Sequence, residues 1–194
     1  MKKIILLLTF MCAAVMLPAQ ENIEHLTFKG IPIDGTLKEF TAKLKQKGFT
    51  YISSEEGAAM FSGDFAGYKN CTAVAVSSKE RDLVCKVGVV FPSCDKWSEL
   101  ESNYMSLKQM LTKKYGEPSE CVEEFQSLFS PQDDNQKIHE LRLDRCKYYS
   151  EFETERGSIE LQLSHQSVME CFVILSYYDG INQKAILSDA MDDL

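Results

Sequence analysis

Three histidines, one Ser-x-x-Lys tetrad, several acidic clusters and seven cysteines are the groups in this chain with chemical potential. A nucleophilic hydrolase needs a base, a nucleophile and an orienting group brought together. The imidazole bases on offer are His25, His139 and His165. None stands in a G-x-S-x-G or H-E-x-x-H setting, so neither a nucleophile elbow nor a helical zinc site is written here. His25 precedes the first core element, and His165 falls in a turn before Gln166-Ser167; both read as solvated. Ser93-Cys94-Asp95-Lys96 has the S-x-x-K form of the penicillin-binding proteins, without the S-D-N and K-T-G companions. At that place Ser93 or Asp95 makes better sense as the acceptor of free N–H groups at a helix start. Asp133-Asp134-Asn135 lacks the calcium-loop spacing and reads as a hairpin loop. Glu123-Glu124, Glu151, Glu153 and Glu155 fit strand alternation better than the acid pair of a glycoside hydrolase. The sequence therefore assigns no catalytic residue, no metal ligand and no cofactor, and a non-catalytic role is expected.

The cysteines depend on the compartment. Met1-Lys2-Lys3, the apolar run Ile4 to Leu17 and then Pro18-Ala19 form a basic, an apolar and a small-residue segment. That is the order of a secretory leader, expected over residues 1–19. The apolar run is short for a membrane span, which takes about 20 residues. Cys12 lies mid-run, away from the place of a lipoprotein's anchor. The mature chain is thus expected to start near Gln20 and to be periplasmic or secreted, without stable membrane insertion. Cys71, Cys85, Cys94, Cys121, Cys146 and Cys171 remain, an even set that suits disulfides in an exported protein. Cys121 and Cys146 are equidistant from the polar stretch Ser130 to Lys137, and Cys71 and Cys85 flank Ser77-Ser78-Lys79-Glu80. If both stretches are hairpin turns, each pair is expected to face across two strands. The other reading is six buried thiols acting as small hydrophobes.

The formal net charge is −8, and loss of Lys2 and Lys3 makes it more negative. Such a field argues against nucleic acid and anionic membrane surfaces, and it tolerates a basic protein partner. Among 8 Tyr and 11 Phe, the pairs Tyr148-Tyr149 and Tyr177-Tyr178 sit within strand patterns. Neighbours on a strand point to opposite faces. If helices cover one face of a sheet, Tyr149 and one of Tyr177 or Tyr178 face outward. Tyr51, Phe65 and Tyr68 are candidates to join them. Exposed tyrosines on a rigid sheet make good protein-binding groups.

The elements that position these residues follow from periodicity. Leu37, Phe40 and Leu44 recur at helical spacing, with Thr36 and Glu39 as a capping box and Gly48 as the stop. Strands are expected over Ala59 to Phe65, Cys71 to Val76 and Leu83 to Phe91. The pattern then restarts. Trp97, Leu100, Tyr104, Leu107 and Leu111 make a second helical stripe, stopped by Tyr115-Gly116-Glu117-Pro118. Strands follow over Cys121 to Phe129, Ile138 to Phe152, Ser158 to Ser164 and Cys171 to Tyr178. The inward phase of the long one changes near Asp144-Arg145, which predicts a bulge. Residues 181–194 read as a tail that forms a short amphipathic helix or frays.

The expected fold is α+β, with two tandem helix-plus-antiparallel-sheet halves over residues 20–92 and 93–180 and helices on one face. A plain single α+β domain is the other arrangement. The tandem order resembles the β-lactamase-inhibitor-protein-like architecture and the related unit of the SmpA/OmlA-type outer-membrane assembly proteins. The resemblance lies in element order and carries no motif. It implies a binding or inhibitory module that engages another exported or envelope protein. The alternative is a periplasmic small-ligand-binding or envelope-assembly accessory protein using a pocket between the halves.

Overall fold

The computed structural model describes residues 24–127, 130–166 and 170–192. The expected leader lies outside the described residues.

Two short strands, β1 (Thr27–Phe28) and β2 (Ile31–Pro32), open the chain as a small ribbon. Helix α1 (Leu37–Gln46) then starts on the Thr36–Glu39 capping box and buries Phe40 and Leu44. Gly48, at φ +90°, ends it, and the Phe49 N–H donates back to the Leu44 carbonyl. Four antiparallel strands follow: β3 (Thr50–Glu55), β4 (Ala58–Phe65), β5 (Tyr68–Ser77) and β6 (Val84–Val90). Helix α2 (Trp97–Tyr115) buries Trp97, Leu100, Tyr104, Leu107 and Leu111, the stripe that the spacing predicts. After it come β7 (Glu120–Phe125), α3 (Asp134–Arg142), β8 (Cys146–Thr154), β9 (Gly157–Gln166), β10 (Glu170–Asp179) and α4 (Gly180–Asp192). No described helix is long and apolar enough to cross a membrane.

The larger sheet has eight strands in the order β3-β4-β5-β6-β10-β9-β8-β7, every neighbouring pair antiparallel. Its covered face is legible from the register. Phe61, Ala73, Val89, Leu175, Leu161 and Ser150 stand in one row across six strands, and all are buried. Helix α1 packs over the β3–β5 side and α2 over β8–β10. The chain is therefore an α+β protein with one continuous core on that face.

Three expectations are corrected. The stretch 130–137 is not a hairpin loop: Asp133 caps α3 by accepting from Gln136 N at 2.9 Å. The phase change near Asp144-Arg145 is accordingly the exit from α3 into β8, not a bulge in one long strand. The N-terminus of α2 is not capped by Asp95 or Ser93. Asp134 of α3 reaches across instead, its Oδ2 accepting from Ser98 N at 3.2 Å and Ser98 Oγ at 2.6 Å.

The disulfide pairings are overturned by register. All six cysteines in the described residues are free thiols. Cys121 stands opposite Ser150 and Cys146 opposite Phe125. Four ladder steps, roughly 13 Å, separate them, beyond the 7 Å limit for a bridge. Cys71 lies opposite Gly63, whereas Cys85 lies beside Val76, five residues further along β5. The β5–β6 turn is wider than Ser77-Ser78-Lys79-Glu80, with Ser78 N–H donating to the Leu83 carbonyl, so its centre is displaced from the midpoint of Cys71 and Cys85.

Candidate functional site

The uncovered face of the eight-stranded sheet holds the candidate site. Three rows cross it. The first is Met60, Val74, Gly88, Ser176, Glu160, Glu151 and Glu120. The second is Ser62, Thr72, Val90, Ile174, Gln162, Tyr149 and Val122, and the third is Ala58, Val76, Lys86, Tyr178, Ser158 and Glu153. The β4–β6 side carries the apolar Met60, Val74, Val76 and Val90 together with Ser62, Thr72 and the Lys86 cation. The β7–β9 side is acidic, with Glu120, Glu151, Glu153 and Glu160. Between them Gly88 and Ser176 leave a low centre. A Cβ on Gly88 would meet only Ser176 Oγ, at 3.9 Å.

Tyr178, on β10, joins these halves of the face, while Tyr149 stands on β8 within the acidic side. Tyr149 donates its hydroxyl to Glu120 Oε1 at 2.5 Å, which helps hold the phenol pKa up at about 12. Tyr178 donates to Glu160 Oε2 at 3.2 Å, and Lys86 Nζ lies 4.6 Å from the centre of its ring. Glu151 is flanked directly by Glu120 and Glu160 on the neighbouring strands. Burial first, then repulsion from Glu153, Glu160 and Glu120, raises its carboxyl pKa above the ordinary value. Like charges facing each other across strands destabilise a sheet. This row is held against that cost, and a cation laid along it would relieve the repulsion.

The five aromatic candidates divide. Tyr149 and Tyr178 lie on the uncovered face, while Tyr177 is buried with its ring edge-on to Phe28 at 5.6 Å. Tyr51, Phe65 and Tyr68 are on the helix side. Tyr51 packs edge-on against Phe61, with Lys45 Nζ 4.9 Å from its ring. Phe65 stacks on Phe28 at 5.1 Å, and Tyr68 packs on Phe91 while donating to Asn103 of α2. Phe65 and Tyr68 therefore serve the core. Sequence reading missed Glu120, Glu160, Lys86 and Gly88 as companions of the tyrosines. Glu160, Lys86 and Gly88 carried a signal, since Ile159 and Leu161, and Val87 and Val89, face the core and place them outward.

The groups with chemical potential take structural places. Asp179 is fully buried at the end of β10 and accepts from Leu26 N at 2.7 Å, His25 Nδ1 at 3.0 Å and Asn182 N at 2.9 Å. His25 Nε2 lies 3.5 Å from Asp34. Asn182 in turn donates to the Ile33 and Val84 carbonyls at 3.0 and 2.8 Å. The histidine belongs to a clasp joining the start of the described chain to α4. His165 lies 3.1 Å from Asp144. Among the described residues no three His, Cys, Asp or Glu side chains are grouped to hold a metal ion. A groove of about 870 Å³ runs between α4 and the β8–β9 turn, lined by Cys85, Glu153, Ser158, Ile181, Lys184 and Leu187.

Fold and site together describe an α+β protein whose eight-stranded antiparallel sheet has one helix-covered face and one largely uncovered face, bordered by α4 near the β8–β9 turn. Compared with protein-family models, curated proteins and solved structures, the chain matches none.

Proposed function

We propose that this chain is an exported, non-catalytic binding or inhibitory module that engages a protein partner through the uncovered face of its sheet. The observation that supports it is an uncovered face with apolar side chains on β4–β6 and carboxylates on β7–β9, with Tyr178 of β10 between them and Tyr149 of β8 among the carboxylates. Aromatic anchors beside apolar area, with charges toward the rim, are the usual parts of a protein interface. The acidic rows select a partner that is basic where it meets β7–β9. Export follows from the leader, and a partner among exported or envelope proteins follows from export. The tandem reading belongs to the same proposal. Residues 20–92 supply a helix followed by four consecutive strands, residues 93–180 supply a helix and four strands with α3 inserted between the first two, and the last strand of each set, β6 and β10, joins them antiparallel at the centre of the sheet. The resemblance to β-lactamase-inhibitor-protein-like modules rests on that order.

The test is capture from an envelope and culture-medium extract by the wild-type chain and by variants. Tyr149→Ala with Tyr178→Ala, and separately Gly88→Gln, are expected to abolish recovery of the partner while circular dichroism is unchanged. Gly88→Gln places bulk at the low centre without touching the core. Leu187→Ser, in the groove beside α4, is expected to leave capture intact. A partner lost only with Leu187→Ser would move the site to the groove and favour a small-ligand or accessory role.

A further inference from the structure

The fold sets two cysteines opposite each other that lie far apart in sequence. Cys94, in the segment between β6 and α2, forms an antiparallel bridge with Cys171 of β10, and the Cys94 N–H donates to the Cys171 carbonyl at 2.8 Å. Facing residues of such a hydrogen-bonded pair have Cα atoms about 5.5 Å apart. That is the preferred Cα separation of a disulfide. Their side chains also leave the ladder on the same side. Cys171 alternates with Val173, Leu175 and Tyr177 on the covered face, and Cys94 is buried beside it. Cys94 Sγ accepts from Asn103 Nδ2 of α2 at 3.3 Å, so both thiols lie in the layer between sheet and helix.

We propose that Cys94 and Cys171 are a disulfide pair, closed when the protein meets a disulfide oxidant. The exchange is balanced as follows. One cysteine thiolate attacks the oxidant's S–S bond, forming a mixed disulfide and releasing the first oxidant thiol. The second cysteine thiolate then displaces the second oxidant sulfur and forms the Cys94–Cys171 bond. Two electrons pass to the oxidant, and the two cysteine protons end on its two thiols. The bridge would pin the segment entering α2 to the central strand β10, where the two proposed halves meet. It thereby fixes the sheet whose bare face is described above, but it does not depend on what that face binds.

A third sulfur makes the assignment selective. Cys171 contributes to the upward pKa shifts of both Cys94 and Cys146. Cys146 is the competing partner for Cys171, but it stands on β8, with β9 between it and β10. No ladder pairs Cys146 with Cys171, so the bridge at Cys94 decides the choice. Burial raises the pKa of both Cys94 and Cys146, the latter to about 12, which makes these thiols poor attackers once the core is closed. Burial of Cys94 and Cys171 also shields the closed bond from small reductants.

The purified protein is refolded in oxidised glutathione, then denatured in excess iodoacetamide without reductant, digested and analysed by mass spectrometry. A linked peptide pair containing Cys94 and Cys171 is expected. Reduction should lower the melting temperature by roughly 10 °C, from closure of a loop of that length. Cys94→Ser, or Cys171→Ser where that variant folds poorly, supplies the control: the variant should show no drop in melting temperature on reduction. Alkylated Cys94 and Cys171 in the refolded wild type, or a Cys146–Cys171 linkage, would overturn the proposal.

Discussion

Glu151 is a side chain whose charge opposes the stability of its own sheet. Its folded-state pKa is raised, so the folded protein holds its proton more tightly than the unfolded chain does. Stability therefore falls as pH rises from the ordinary glutamate value of 4.5 through the raised folded value. Below both values the carboxyl is protonated in either state and the cost vanishes. Glu151→Gln is expected to raise the melting temperature at pH 7 by about 1–3 °C. The gain should disappear below pH ~4. A thermal-melt series across that range checks it; an equal gain at every pH would mean that packing, not charge, sets the effect. Asp179, buried at the end of β10, instead accepts from two backbone N–H groups and from His25.

Between elements, the notable device is the loan of a cap. Helix α2 begins at Lys96–Trp97 with no capping side chain of its own, and Asp134 of α3 supplies it. The Ser98 contacts hold the Asp134 carboxyl below its ordinary pKa. Asp134→Ala is expected to speed amide exchange in the first turn of α2 while leaving α1 unchanged. Exchange altered equally in both helices would show that α3 does not couple locally to α2. The capping box on α1 was legible because both its members, Thr36 and Glu39, lie within one turn. The cap on α2 was not, because its two partners are 36 residues apart. The same distinction explains β3. Its six residues are all exposed, so no alternation betrays it, and it is held by pairing with β4 and by Tyr51 against Phe61 and Lys45.

For the whole molecule, the question is whether the two sides of the sheet stand alone. The β6–β10 ladder stitches them along five residue pairs, and the Asp179–Asn182 clasp ties the first described residues to the last helix. One cooperative unfolding transition is expected, with coincident curves by circular dichroism and by Trp97 fluorescence. Trp97 is buried on α2 and reports the second side only, so separated curves would show the sides unfolding independently. The sequence by itself determined the α+β class, the two buried helical stripes and the outward parity of Tyr149. Each depends on spacing within one element, and spacing is local. Only the tertiary structure decided that Tyr178 rather than Tyr177 faces outward, that Phe65 and Tyr68 turn to the core, and that Cys94 meets Cys171 instead of the cysteines nearest a turn. Those outcomes depend on register and on which face the helices cover. Register is fixed by long-range burial, because a slip of one residue would exchange the two faces of a strand.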